Sequence, residues 1–341
     1  MTQNDYKNVW IFAQVNGWNL DNSAYELLAA ARPLADALGE KVCAVLLGKN
    51  LPPFPERLIA RGADIVYACD HEQLEHFTDD VGARLLADMI AQYKPNKFLF
   101  PATCLGRSLA ARTAVLAHTG LTADATELSI HPQDGQLYAT RPTYGGKLLA
   151  TITCKTRPEM CTVCTGYYPV AREQQEHRGE IIHIPFDTRK YVPLAQILEC
   201  IDKEQGYITC TDGDNADSSF NLSDAEIIVA GGRGVGSKAG FELLHRLAKR
   251  LGGVVGATRP AVDNGWAGEN AQIGITGCTV KPKLYIACGI SGQLHHTAGI
   301  AGNGVIVAIN KDPNAPLMKT ANYALTGDLY EIVPALLDAL E

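Results

Sequence analysis

The sequence predicts an α/β protein: an N-terminal parallel-sheet domain with added strands over 1–215, then a doubly wound domain over 216–341. Three observations carry this. Up to about residue 117, strand-length apolar runs alternate with stretches of helical periodicity, the pattern of a parallel sheet with right-handed crossovers. From 127 to about 170 strand-like segments follow one another instead. At residue 226 the alternation restarts, and its first strand runs into a glycine turn, the place where open α/β sheets bind ligands.

The elements follow in order. A strand over 9–14 opens the chain. Residues 23–38 have helical spacing and stop at Gly39, which adopts the left-handed helix-ending conformation at little cost. A second strand spans 42–47, and its unbroken apolar run suits burial on both faces. A helix over 55–61 closes at Gly62, and a third strand covers 65–68. A helix over 78–93 has Thr78 in the cap position; the acidic pair Asp79-Asp80 reads as its solvated start. A fourth strand, 98–100, leads to a helix over 106–117. In the strand-rich stretch, Gly135 punctuates one hairpin and Gly145-Gly146 can turn another. The polar stretch of about 199–223, with Thr211-Asp-Gly-Asp-Asn-Ala-Asp-Ser-Ser219, has the composition of a linker. A strand over 226–230, a helix over 241–250, an apolar run over 252–257 and strands over 284–288 and 305–309 then build the second domain. There is no fixed-period repeat.

Bulk composition narrows the function classes. A net charge of -7 argues against a nucleic-acid or anionic-membrane surface. No apolar run approaches the ~20 residues that span a bilayer. The short polar start, 1–8, leads directly into a strand, so no signal or transit peptide is expected and the chain is placed in a cytoplasm. The ten cysteines are scattered and read as reduced thiols. Cys161-Thr-Val-Cys164 is a C-x-x-C, yet no fourth ligand follows at metal spacing, and a strand would point the two thiols to opposite faces.

The most informative stretch is Leu284-Tyr-Ile-Ala-Cys-Gly-Ile-Ser-Gly-Gln-Leu-His-His296. It reads as a strand, a glycine-bearing turn and the start of a helix whose N–H groups can face a phosphate. Around it lie Gly231-Gly-Arg-Gly-Val-Gly-Ser237, Gly256-Ala-Thr-Arg-Pro-Ala-Val-Asp-Asn-Gly-Trp266 and Gln272-Ile-Gly-Ile-Thr-Gly-Cys-Thr-Val-Lys-Pro282. Val307-Ala-Ile-Asn-Lys-Asp-Pro-Asn-Ala-Pro316 and Gly327-Asp-Leu-Tyr330 follow. In this order and spacing the set resembles the alpha subunit of the electron-transfer flavoproteins. Pro101-Ala-Thr-Cys-Leu-Gly-Arg-Ser-Leu-Ala-Ala-Arg112, Thr119-Gly-Leu-Thr-Ala-Asp-Ala-Thr126 and Thr140-Arg-Pro-Thr-Tyr-Gly-Gly146 extend the likeness over nearly the whole chain.

The resemblance implies a Rossmann-like FAD-binding second domain. It also implies a heterodimer with a beta subunit that holds AMP or a second FAD. Electrons would pass between a dehydrogenase, such as an acyl-CoA dehydrogenase, and another redox partner, with no catalytic acid or base; electron bifurcation stays open. By residues alone, Arg233 is either a bidentate contact to a pyrophosphate or adenosine oxygen or a solvated loop arginine. The resemblance favours binding, and makes Arg259 the flavin-facing cation, with Thr258 donating nearby; otherwise Arg259 is a surface ion-pair residue. It assigns close backbone approach to Ile273, Gly274 and Ile275, and a hydroxyl contact at flavin N5 to Thr276, which is otherwise an ordinary turn residue. Ser291, Gly292, Gln293, Leu294 and His295 would cap the pyrophosphate, and His296 would stand near the C2 oxygen; a lone histidine is more often structural. Asn310 would hold ribose or adenine. Asp328 and Leu329 would lie near the adenine, where Asp328 is also a plausible helix cap.

The chain departs from the family pattern in places. Gly-Gln-Thr-Gly-Lys becomes Gly274-Ile-Thr-Gly-Cys278, the usual Gln-His pair becomes His295-His296, and Thr-Val-Arg-Pro becomes Thr162-Val-Cys-Thr165. These changes bear on redox tuning. A nicotinamide dehydrogenase fits less well: Gly232-Arg-Gly-Val-Gly236 brings the third glycine of the Gly-x-Gly-x-x-Gly fingerprint one position early, and no acidic residue stands near 252 to hold a ribose. An adenine-nucleotide-binding protein without a flavin is the other alternative.

Overall fold

The computed structural model describes residues 5–16, 19–143, 148–174, 176–195, 222, 225–302 and 304–340. The chain divides into two compact units, Met1–Cys200 and Ile201–Glu341. The expected boundary at 215/216, the polar stretch over 211–219 and the Gly145-Gly146 turn lie outside the described residues.

The first unit runs β1 (Val9–Ala13), a two-strand ribbon of β2 (Val15–Asn16) and β3 (Asn19–Leu20), α1 (Asn22–Leu38), β4 (Val42–Gly48), α2 (Phe54–Ala60) and β5 (Ile65–Asp70). Next come α3 (Asp79–Tyr93), β6 (Lys97–Pro101), α4 (Cys104–Leu116) and β7 (Leu121–Ala125). The strands β8 (Glu127–Ile130), β9 (Leu137–Thr143), β10 (Leu148–Ile152), β11 (Glu159–Val163) and β12 (Glu180–His183) complete it. A parallel sheet in the order β12-β5-β4-β1-β6-β11-β7 forms the body, and β10-β9-β8 form a separate antiparallel sheet. These are the added strands, and Gly135, at φ 68°, turns the β8–β9 hairpin as expected.

Alternation along β1 feeds two cores. Val9, Ile11 and Ala13 pack with Leu27, Leu28 and Leu34 of α1, while Trp10 and Phe12 pack with Leu85, Leu86 and Met89 of α3. Side chains two apart share a face of a strand, so one apolar run serves both. Asp21 caps α1 by accepting from the Ser23 N–H, and Gly39, at φ 65°, ends it. Thr78 stands at the start of α3 without a side-chain cap bond; Thr103 does make one, accepting from the Gly106 N–H and starting α4 ahead of the expected residue 106.

A buried ion pair joins the two sheets at the amino ends of the parallel strands. Lys97 and Glu159 are 0% and 1% exposed, with Nζ 2.7 Å from Oε2. Lys97 Nζ also donates to the Gly135 carbonyl at 2.8 Å, Glu159 accepts from the Leu137 N–H at 2.6 Å, and Arg157 pairs with the other carboxylate oxygen. Desolvation depresses the Lys97 pKa against the opposing pull of Glu159.

The second unit alternates β13 (Ile227–Gly231), α5 (Lys238–Leu251), β14 (Val254–Ala257), α6 (Arg259–Asp263), β15 (Leu284–Cys288) and α7 (Leu294–Thr297). It ends with β16 (Val305–Asn310), α8 (Pro316–Thr320), β17 (Tyr323–Thr326) and α9 (Leu329–Ala339). All pairings are parallel, in the order β14-β13-β15-β16-β17. Apolar residues of α5 and α9 cover one face; Ile273, Val280, Leu317 and Met318 cover the other, so the sheet is doubly wound. The strand order reverses between β13 and β15, which puts the ligand-binding crevice of this topology at their carboxyl ends.

The helix expected after Ser291 is a single turn of four residues. The chain must bend at Gly299, where a Cβ would lie 2.5 Å from the Gly274 nitrogen. A single turn carries little of a helix dipole. Among the described residues no helix is long and apolar enough to cross a membrane, and no three His, Cys, Asp or Glu side chains gather as a metal site. Cys161 is buried within β11, and burial raises its pKa and pushes Cys164 up to about 11, so neither is poised as a thiolate.

Candidate functional site at the carboxyl edge of the second sheet

The strand register sets the candidate residues side by side. Gly231 pairs with Ala257 and Cys288, Cys288 with Ile309, and Asn310 with Thr326. The turns that follow therefore share one edge, with neighbouring strands ~4.8 Å apart.

At the centre two glycine turns interlock. Gly232 N–H donates to the Cys288 carbonyl at 2.9 Å, and Gly234 N–H to the Gly289 carbonyl at 3.0 Å. A Cβ on Gly232 would sit 2.4 Å from the Gly289 oxygen. Glycine is thus demanded first by backbone packing against backbone. Arg233 projects from this turn, exposed, with no partner for its guanidinium among the described residues. Ser237 caps α5, accepting from the Gly240 N–H at 3.1 Å, so that helix begins three residues before the expected 241.

Thr258 and Arg259 follow β14. Thr258 is 7% exposed, its N–H donates to the Gly231 carbonyl at 3.0 Å, and its buried hydroxyl has no hydrogen-bond partner among the described residues. Such a group costs ~1–3 kcal/mol unless something bonds to it. Arg259 is 63% exposed and makes only a loose contact, 3.6 Å, with Asp263.

The turn 273–278 is held from both sides. Ile273 N–H donates to the Ala257 carbonyl at 2.9 Å, and Ile275 N–H to the His295 carbonyl at 2.9 Å. Gly274 has φ 143°, and a Cβ there would meet the His295 oxygen at 2.6 Å. The turn presents Ile275, 56% exposed, and Thr276, whose hydroxyl accepts from Gln272 Nε2 at 3.0 Å. His296 is only 7% exposed, and both ring nitrogens are engaged: Nδ1 with the Ile273 carbonyl at 2.9 Å, Nε2 with the Tyr285 hydroxyl at 2.8 Å. Desolvation lowers its pKa, opposed by the Ile273 bond. His295 faces solvent.

The remaining candidates frame the edge. Ser291, Gln293 and Leu294 are exposed, and the Ser291 carbonyl accepts from the Leu317 N–H at 3.1 Å. Gly292 has φ 83° and packs against Leu317. Asn310 donates to the Ile290 carbonyl at 3.0 Å and accepts from the Asp312 N–H at 3.1 Å, tying two of the turns together. Asp328 caps α9 through the Tyr330 N–H at 3.0 Å and pairs with Lys311 at 2.9 Å; these bonds hold its carboxyl below the usual range. The Leu329 side chain is buried, so only its backbone faces the edge.

Two residues here escaped sequence reasoning. Tyr330 donates through its hydroxyl to the Val235 carbonyl at 2.5 Å, pinning the first glycine turn, and Tyr285 reaches His296. Tyr285 carries a readable signal, because a hydroxyl in a buried apolar run needs a partner; Tyr330 is exposed and carries none. Chemically, the edge offers two exposed guanidiniums, a buried unpaired hydroxyl and glycine turns, which fits a phosphate-bearing ligand with a hydrogen-bonding ring.

Comparison with known proteins follows the same division. The family described as electron transfer flavoprotein domain matches residues 9–188, and the electron transfer flavoprotein FAD-binding domain matches 221–301. The electron transfer flavoprotein subunit alpha of Thermoanaerobacterium thermosaccharolyticum is 44% identical over 99% of both chains. The LctC subunit of the NAD(+),ferredoxin lactate dehydrogenase of Acetobacterium woodii is 37% identical over 98% of this chain and 77% of that one. The acryloyl-CoA reductase electron transfer subunit beta of Anaerotignum propionicum is 36% identical over 99% of this chain and 96% of that one.

Proposed function

This chain belongs to the electron transfer flavoprotein alpha-subunit family, and on that premise we propose that its second unit binds one FAD and serves as an electron carrier. The observation that carries the reading is the edge itself: Arg233 follows β13, Thr258 and Arg259 follow β14 and Thr276 stands in the 273–278 turn, beside interlocked glycine turns and inside the stretch that matches the FAD-binding domain.

FAD supplies reversible electron uptake when bound. The protein's part is to hold it and to set its charge environment. Arg233 serves the pyrophosphate or adenosine oxygens, and the exposed backbone of Ser291, Gly292, Gln293, Leu294 and His295 closes around the same end. Arg259 supplies positive charge to the ring, which favours electron uptake there. The unpaired Thr258 hydroxyl finds its partner on the cofactor, and Thr276 presents its hydroxyl to the ring from the turn that includes Ile273, Gly274 and Ile275. Asn310, Asp328 and Leu329 shape the adenosine end. His296, with both ring nitrogens engaged by protein atoms, supports the site from behind.

The chain works paired with a beta subunit, which holds AMP or a second FAD, in the cytoplasm. It relays electrons between a dehydrogenase, of acyl-CoA type, and another redox partner; two relatives carry the names of enzymes of acryloyl-CoA and of lactate. The test is the visible spectrum of the chain purified with its beta subunit, followed by acid release of the chromophore. One FAD per heterodimer supports the carrier, and two support a bifurcating pair. A colourless complex that takes up no added FAD rejects both.

A further inference from the structure

Tyr285 sits mid-strand in β15, paired on either side to Ile228 of β13 and Ile306 of β16. It is fully buried, and its hydroxyl lies 2.8 Å from His296 Nε2. On the far side of the imidazole, Nδ1 lies 2.9 Å from the Ile273 carbonyl. A carbonyl oxygen can only accept, so Nδ1 carries a proton. Burial disfavours a charged ring and an ionised phenol alike. Nε2 is then left with a lone pair, and Tyr285 must donate to it. Every proton in the chain Tyr285–His296–Ile273 is thereby assigned. The other tautomer would set lone pair against lone pair at the Ile273 carbonyl and, with Tyr285 accepting, leave its buried hydroxyl proton without an acceptor.

We infer that Tyr285 is a positioning residue for the proposed flavin site: through the His296 ring it fixes the Ile273 carbonyl, and with it the turn that presents Ile275 and Thr276. The anchor is a central strand, the stiffest part of the unit, and the object held is a turn that has few other ties. Its remaining bonds to the rest of the unit run mainly to the Ala257 and His295 backbone. The chain also keeps His296 neutral, so it contributes no cation at this edge, and Arg233, Arg259 and His295 are the groups there free to face an anion. This inference rests on the FAD reading for its purpose, but not for its hydrogen bonds.

The experiment uses the full-length chain with its beta subunit, wild type and Tyr285→Phe. Three quantities are read: the ring ¹⁵N signals of His296, assigned by their loss in His296→Gln; the FAD dissociation constant; and the flavin midpoint potential at full occupancy. We expect wild-type His296 as the neutral, Nδ1-protonated tautomer. In Tyr285→Phe its Nε2 signal should move, FAD should bind about 3- to 10-fold more weakly, as loss of one hydrogen bond implies, and the potential should shift. A wild-type ring protonated on Nε2 overturns the inference, even if the variant fails to fold. So does a folded variant with unchanged ring signals and unchanged potential. A wild-type complex that binds no FAD overturns the carrier reading along with it, whereas FAD bound with equal potential in both proteins rejects Tyr285 alone.

Discussion

Thr258 illustrates how a residue can be unfavourable in the empty fold and useful in the loaded one. Its buried hydroxyl has no partner, so Thr258→Val should leave the cofactor-free chain as stable as before, or more stable by up to ~1 kcal/mol, while weakening FAD binding about 10-fold. Thermal melts without FAD and a flavin titration separate the two effects; a variant that loses stability and keeps its affinity contradicts the role. Ile275 is the converse case, an apolar group in solvent at the edge of the site. Ile275→Gln should shift the flavin midpoint potential, and an unchanged potential means that position 275 does not face the ring. His296 gives a pH dependence. Its folded pKa is lowered from about 6.5, so the unfolded chain binds the proton more readily. The contribution of the buried neutral ring is present above pH ~6.5 and is lost as pH falls below it. Denaturant titrations of wild type and His296→Gln at pH 5.5 and 7.5 should show a smaller difference between the proteins at the lower pH. At this scale Arg233, Thr258 and Arg259 were named from the resemblance, since residues alone left Arg233 and Arg259 open to a plain surface role; the fold sets them after β13 and β14 on one sheet edge. Tyr285 and His296 were not legible as a pair, because eleven residues of turn and strand separate them and only the fold brings the rings together.

At the scale of elements, what the sequence told best were runs with clear ends. Gly39 stops α1 where its left-handed φ predicts, and the apolar 42–47 run is a strand buried on both faces. Caps were harder. Thr78 holds the cap position of α3 without a cap bond, since composition names a candidate but not the direction of its side chain. The helix start after the glycine turn was legible but its length of one turn was not, since local spacing cannot register Gly299 pressed against Gly274. Edge strands β12 and β17 are four residues each, too short to show a pattern, and their pairing with β5 and β16 defines them. The Lys97–Glu159 pair belongs to this scale, because it locks the β8–β9 hairpin onto β6 and β11. Glu159→Gln leaves a buried ammonium without its counter-charge and should cost ~3–5 kcal/mol by chemical denaturation. A Glu159→Gln chain as stable as wild type contradicts the argument.

Among the described residues there are four cores, two on the faces of each parallel sheet. Each unit therefore has its own reason to fold, and calorimetry should show two transitions. FAD at 100 times its dissociation constant should add ~2.7 kcal/mol to one of them alone. A rise of both together would mean that the units unfold as one. The sheet order of each unit could not be read from the chain, since neighbours in space are set by register and crossover rather than by sequence distance.

The interlocked turns at Gly232, Gly234 and Gly289 carry one further consequence. They are held mainly by main-chain atoms meeting main-chain atoms, with the Tyr330 hydroxyl as an added pin, so exposed side chains at the rim are not what fixes them. Isoleucine at 275 and histidine at 295, both exposed, take no part in these contacts. Exchanges at such exposed rim positions can thus alter what the edge presents while the glycine contacts beneath stay in place.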